Sequence, residues 1–471
     1  MDGLEAVELK LSEVLEDNDT KRIDSEYFKK EYLTFIKLLK KIAYLKLEDI
    51  SNVKGGKRLP LGENFSDEGI FYIRAEDNKK GFVNYENSPK ISVDLHNKLK
   101  SYQTKYNDIL LTIVGNSIGD VGIVKFNLEK CNLTENCAKV ISLKNNLKAN
   151  YLFSFLNSKF GQLQISRETV GTAQPKLAIE RIRKFIISNL NDNFQLQIEN
   201  LVQSSYKKLE ESKILYKEAE EQLLKELDLL DFKPSVENIS IKSFSESFGN
   251  SGRLDSEYYQ AKYDDSITHI KKTKFDKLDN IVNIKKSIEP GSEAYQDSGI
   301  PFIRVSNVTK FGISDTDIYL SENILKEEDL QKLYPTKDTI LLSKDGTVGI
   351  AYKIKNETEM ITSGALLHLS IKKSNVLPEY LTLVLNSLIV QLQAQRDAGG
   401  SIIKHWKPSE IQEILIPIID ISVQNQIEEK IKKSFELKEE SKKLLDLAKR
   451  IVEIAIEKDE EEAIKFISNR N

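Results

Sequence analysis

The stretch VKGGKRLP at 53–60 sets Lys54, Lys57 and Arg58 around the pair Gly55 and Gly56. Cations beside a flexible glycine hinge suit phosphate oxygens: the charges attract the anion and the backbone can adjust to it. The stretch is not a nucleotide-binding Walker loop, because the glycine spacing and the Lys-Ser/Thr ending are missing. Later in the first half, Arg74, Asn116, Ser117, Thr172, Gln174 and Lys176 add basic, amide and hydroxyl groups in glycine-punctuated runs. In the second half Arg304, Ser306 and Asn307 stand together, followed by Lys344, Thr347, Lys404, His405 and Lys407. Groups of these types suit phosphates and base edges. Each is also an ordinary residue for a solvated loop. Arg74 and Arg304 fall at matched places in the two halves, which equally suits a structural role. The run "KPSE" around Lys407 also reads as a helix start with Ser409 as its cap.

No catalytic pattern stands out. There is no G-x-S-x-G elbow and no H-E-x-x-H pair. The glycines of "SKDGTVG" at 343–349 suit a β-turn better than a phosphate loop. Cys131 and Cys137 lack the spacing and neighbours of a metal site and read as ordinary thiols of a reducing compartment. His96, His269, His368 and His405 are scattered and read as surface or packing residues. No apolar run approaches a membrane span, and the start lacks a signal-peptide apolar core, so the expected location is cytoplasmic.

The formal net charge of −4 argues at first against a polyanion partner, but its distribution is uneven. Residues 41–190 hold 23 Lys/Arg against 15 Asp/Glu, whereas 191–240 hold 6 against 11 and 271–420 hold 19 against 20. The first large segment is therefore basic, the middle acidic and the second large segment near neutral.

What must position these residues is a unit written twice. "RIDSEYFKKEY" at 22–32 recurs as "RLDSEYYQAKY" at 253–263. "GIFYIRAEDN" (69–78) pairs with "GIPFIRVSNV" (299–308), "YLFSFLNS" (151–158) with "YLTLVLNS" (380–387), and "QLQIE" (195–199) with "QNQIE" (424–428). An ordered series at a nearly constant offset is a domain duplication; solenoid repeats are much shorter. Each copy opens on the quoted phrase, where Asp24 or Asp255 is placed to cap a helix. Short β-like runs follow, such as "DILLTIV" and "DTILLS", then a helical run and a glycine-bearing turn.

Each copy closes on a long polar helix. In the first, Ile198, Val202, Ser205, Leu209, Ser212, Tyr216, Ala219 and Leu223 keep 4-3 spacing. In the second the same places hold Ile427, Ile431, Ser434, Lys438, Ser441, Leu445, Ala448 and Val452. Sustained 4-3 spacing in a charged background predicts a coiled-coil seam, and the matched registers favour pairing of the two helices with each other. Residues 195–226 as helix would span about 48 Å.

Two variable domains, each followed by a long helix, resemble the specificity subunits of Type I restriction–modification systems. The local signature is "ETVGTAQPKLAIERIRKFIIS" (168–188) followed by "NFQLQIENLV", with Gly171, Gln174, Leu177, Phe185, Gln195 and Gln197 at the family's positions. In the second copy Gly400, Ile414, Gln424 and Gln426 match, while Ile403 replaces the glutamine and Trp406 the leucine. The resemblance implies an α+β fold with a pseudo-two-fold internal repeat. Target-recognition domains would occupy 1–190 and 232–419, with helices at 191–231 and 420–471 pairing as an antiparallel coiled coil. It also implies a non-catalytic chain that reads a bipartite double-stranded DNA target, one half-site per domain. Methyltransferase subunits would dock on it, and restriction subunits would join through them. S-adenosylmethionine and ATP would belong to those partners, with no cofactor in this chain. A scaffold that binds no DNA, an enzyme with a hidden site, and a specificity subunit of a related restriction–modification type are the alternatives.

Overall fold

The computed structural model describes residues 6–469, apart from 17, 19, 126–130, 172, 238, 325 and 401 and the side chain of 250. The chain forms two compact units, one from Met1–Glu210 with Leu437–Asn471, the other from Glu211–Glu436.

In the first unit, a five-stranded sheet takes the order Asn52–Gly55, Cys137–Ile141, Ile109–Thr112, Val121–Ile123, Gly81–Phe82. Its first four strands are antiparallel and the last pair is parallel. The run ILLT at 109–112 is wholly buried because it is covered on both faces. Alternation sends Ile109 and Leu111 into the main core with Tyr151, Phe155 and Phe160, and Leu110 into a second core with Ile73, Leu133 and Cys137. That second core lies against a four-stranded sheet ordered Lys90–Ile91, Ile70–Ile73, Cys131–Leu133, Gln103–Thr104. Each fully buried Leu, Ile or Phe contributes roughly 1.5–3 kcal/mol. Cys131 and Cys137 are buried free thiols, and burial pushes both up to about 12.

The second unit repeats this plan. Its main sheet runs Val282–Lys286, Leu366–Ile371, Ile340–Ser343, Ala351–Lys353, all antiparallel. Ile340 and Leu342 face one core and Leu341 another, as in the first unit. The helices that cover the sheets are fastened by the same side chains. Asn157 donates to the Val121 carbonyl, and Asn386 to that of Ala351. Gln162 donates to the Gly119 carbonyl, and Gln391 to that of Gly349. Gln195 and Gln424, on the first turn of each long helix, accept from the Lys148 and Leu377 amides.

The repeated opening phrase has a packing role in both units. Arg22 lies 4.7 Å from the Tyr27 ring centre and Arg167 3.8 Å. In the second unit Arg253 and Arg396 lie 4.4 and 5.3 Å from the Tyr258 ring. Arg22 is held by Asp24, and Arg253 by Asp255, each through two hydrogen bonds. Asp24 also accepts from the Tyr27 amide at the head of a 3-10 turn, whereas Asp255 makes no such cap. The phrase therefore packs onto the helix Lys159–Glu168 in the first unit and Leu388–Asp397 in the second.

The long helices run Asp192–Glu226 and Ile421–Glu457. Within the first unit Ile198, Val202, Ala448 and Val452 are buried, Leu209, Lys438 and Leu445 half-buried, and Ser205 Oγ lies 2.9 Å from Ser441 Oγ. Within the second, Tyr216, Ala219, Leu223, Ile427 and Ile431 are buried, and Ser434 Oγ donates to the Ser212 carbonyl at 2.7 Å. There Lys430 pairs with Glu218 and Gln426 with Gln222, so rising numbers on one helix meet falling numbers on the other: the pairing is antiparallel. The small serines let the backbones approach, and their hydroxyls are satisfied across the seam.

Candidate nucleic-acid interface

Each unit carries two loops joined by the same short bridge. In the first unit the loop after Thr112 meets the loop after Thr169: Val114 bridges Lys176, the Leu177 amide donates to the Ile113 carbonyl and the Gly115 amide to that of Pro175. In the second unit Asp345 bridges His405, Trp406 donates to Lys344 and Gly346 to Lys404. Leu177 and Trp406 anchor these loops because both are buried, at 2% and 1% exposure. Gly171 and Gly400 turn the second loop at φ 95° and 115°, where any side chain would be strained. At Gly400 a Cβ would also stand 2.1 Å from the Ile403 carbonyl oxygen.

In the first unit the loop after Thr112 borders a groove of about 510 Å³. The groove collects Arg58, Arg74 and Ser117 from the candidate set and adds Lys79, Glu76 and Glu135, which sequence reasoning passed over. Arg58 pairs with Glu135 at 2.6 Å while remaining largely exposed. Burial works against the Glu135 charge, yet hydrogen bonds from Arg58 and Thr134 hold its carboxyl below the usual range. Arg74 donates from Nε to Asp77 and contacts Glu76, so two carboxylates hold it. Lys54 lies elsewhere: it lines a separate concavity of about 540 Å³ with Lys100, Lys105 and Lys139. Lys54 belongs to the strand Asn52–Gly55 and Arg58 to the loop beyond it. The Lys57 side chain is exposed, and its amide donates to the Leu133 carbonyl. Asn116, Gln174 and Lys176 are exposed; Thr172 lies outside the described residues.

In the second unit Arg304, Ser306, Thr347, Lys404, His405 and Lys407 are exposed. Asn307 is half-buried: its Oδ1 accepts from the Arg304 amide and its Nδ2 donates to the Asp315 carbonyl. Lys344 and His405 flank one carboxylate, Asp345, with His405 Nδ1 2.8 Å from it. Lys407 precedes the short helix Pro408–Gln412, so the helix start foreseen at "KPSE" is present; its N-cap position is Lys407, and Ser409 lies inside the helix. His96, His269 and His368 are buried in packing roles. Among the described residues no helix is long and apolar enough to cross a membrane.

Residues 40–215 match the family model for the Type I restriction modification DNA specificity domain. No curated protein matches the chain. Among solved structures, the chain is similar to the S subunit of a Type I restriction–modification system from M. genitalium. They share 15% identity over 88% of this chain and 95% of that one, with a TM-score of 0.41. It is also similar to the HsdS subunit from Thermoanaerobacter tengcongensis, at 14% identity over 88% and 97% of the two chains, with a TM-score of 0.30. The likeness to the Type I restriction modification DNA specificity domain is thus carried by residues 40–215, less than half of the chain.

Proposed function

We propose that this chain is the sequence-reading, non-catalytic subunit of a Type I restriction–modification complex acting on double-stranded DNA in the cytoplasm. Residues 1–190 and 232–419 each read one half of a bipartite target. The helices of 191–231 and 420–471 dock the methyltransferase subunits. Restriction subunits join through those partners, which bring S-adenosylmethionine and ATP. The observation that carries this reading is the family match over 40–215, in a chain whose second half repeats the same fold.

In the first unit the contact face runs from Lys57 and Arg58 across Asn116 and Ser117 to Gln174 and Lys176. Lys54 supplies phosphate contact from the neighbouring concavity. In the second it runs from Ser306 across Lys344 and Thr347 to Lys404, His405 and Lys407, while the Asn307 side chain is taken up by its own loop. Long cationic side chains neutralise phosphates and position the chain; amides and hydroxyls read base edges.

The test is selection of bound duplexes from a random-sequence pool by the full chain with its methyltransferase subunit. A two-part site is expected, and exchange of residues 41–190 for those of another family member changes one part alone. A continuous site, or a change in both parts, overturns the assignment of one half-site per unit. Lys57→Ala with Arg58→Ala should weaken binding to all duplexes and lower the log–log salt slope by about two, since two phosphate contacts no longer release counterions.

A further inference from the structure

The loops at 74–77 and 304–307 share one backbone and differ in charge. Arg74 and Arg304 have φ, ψ of −103°, 170° and −103°, 169°. In each, the arginine amide donates to the side chain three residues on, Asp77 Oδ2 at 2.9 Å or Asn307 Oδ1 at 3.0 Å. The frame around them also matches. Thr134 donates to the Ile73 carbonyl, and Ser363 to that of Ile303; Ile113 donates to Asn136, and Lys344 to Ala365. Arg304 therefore takes, in the second unit, the place that Arg74 takes beside the loop pair of the first.

The guanidinium groups fare differently. Arg74 donates to both oxygens of Asp77 and to the Asn87 carbonyl, and contacts Glu76. Asp77 is 6% exposed, so drawing Arg74 away would leave a buried carboxylate unpaired. At the matched places the second unit has Ser306 for Glu76 and Asn307 for Asp77. Both carboxylates are gone, the Asn307 side chain is occupied by backbone groups, and Arg304 is exposed with no ion pair among the described residues.

We propose that Arg304 is a DNA-contacting residue of the second unit, whereas Arg74 is a staple of its own loop. The proposal rests on the reading of the chain as a DNA-specificity subunit. A guanidinium presents a planar fork of donors that fits paired acceptors, here the O6/N7 edge of guanine or two phosphate oxygens. The neutral Ser306 and Asn307 leave that fork open and put no negative charge in the path of the DNA.

The test uses the full chain with its methyltransferase subunit and duplexes selected from the random pool. Arg304→Ala should weaken binding about tenfold at unchanged melting temperature, the range of one bidentate contact. The double variant Ser306→Glu, Asn307→Asp rebuilds the Arg74 arrangement and should weaken binding as much with Arg304 still present. Arg74→Ala should stay within about twofold of wild type. A guanine contact shows as lost discrimination at one base pair of the second half-site. A phosphate contact shows as an even loss with the log–log salt slope lower by about one. Either outcome supports the proposal. If Arg304→Ala and the double variant both bind within twofold of wild type, or Arg74→Ala loses as much as Arg304→Ala, the proposal is overturned while DNA binding stands. A wild-type chain that binds no duplex overturns the DNA reading itself.

Discussion

In the repeated phrase of each unit a tyrosine ring lies between two arginines, Arg22 and Arg167 in one, Arg253 and Arg396 in the other. In the loops that follow the strands Ile70–Ile73 and Ile300–Ile303, the matched arginines are held in opposite ways, Arg74 by two carboxylates and Arg304 by none among the described residues. The first device has kept both backbone and chemistry; the second has kept its backbone and changed its chemistry. A duplicated fold can thus separate what must be held from what must be read. Packing fixes the stack, because its partners lie on another helix of the same unit. Glu76 and Asp77 both pair with Arg74, and the loop keeps the same backbone where Ser306 and Asn307 replace them.

The comparison breaks most readily at the loop anchors. Trp406→Ala should destabilise the second unit by about 4 kcal/mol, against about 3 kcal/mol for Leu177→Ala in the first, because the larger side chain leaves the larger cavity. Trp406→Leu should cost less than either, since it also removes a buried indole N–H that lacks a hydrogen-bond partner. Denaturant unfolding of the full chain measures all three; a milder loss for Trp406→Ala than for Leu177→Ala would end the idea that the two anchors are equivalent.

The stacks come next. Arg22→Ala and Arg253→Ala should each cost about 1–2 kcal/mol, through lost ring contact and lost hydrogen bonds to a backbone carbonyl. The two should agree within about 0.5 kcal/mol in thermal unfolding. A large effect in one unit and none in the other would show that the device has been kept in sequence but not in energetics.

The smallest effect is a pH dependence confined to one unit. Asn107 and Asp338 occupy matching turns, with φ of 68° and 67°. Asn107 bonds to Lys125, and burial pushes the Lys125 ammonium down to about 8 from 10.5. In the second unit Lys353 is also buried, but Glu379 and Asp338 hold it above its ordinary value. Between pH 8 and 10.5 the unfolded chain holds the Lys125 proton that the folded chain has released. Stability therefore rises with pH across that window, by about 1 kcal/mol between pH 8 and 9. Asn107→Asp supplies the missing carboxylate and should flatten the rise, measured as denaturation midpoint against pH.

The repeat was legible because six of the eleven residues of the opening phrase, and several shorter runs, keep their order and spacing. The seam was legible because the 4-3 pattern holds for eight positions in each copy. The grooves were not. Arg58 and Glu135 are 77 residues apart and meet only through strand pairing. Lys54 and Arg58 are four apart and line different concavities. The fate of Arg74 turns on a 3-10 turn that brings Asp77 back onto it. Its signal was nonetheless in view, since "RAED" faces "RVSN" across the repeat and the carboxylates are what differ. The role of Arg22 and Arg253 depended on a second arginine about 145 residues downstream, which no local pattern announces.

The first unit is discontinuous in the chain. Its main core includes Ala448, Ile451, Val452, Ala455 and Ala463, whereas the second unit is one uninterrupted segment, Glu211–Glu436. On the ribosome this reverses the usual order of completion. The segment made first must wait, with Phe194, Ile198 and Val202 uncovered, while the whole of the second unit is translated. Its core closes when the residues of the Ile421–Glu457 helix beyond 447 leave the exit tunnel. A premature stop in that helix would therefore injure the part of the protein encoded farthest from it, and the exposed apolar surface would give a quality-control protease its target before any partner arrived.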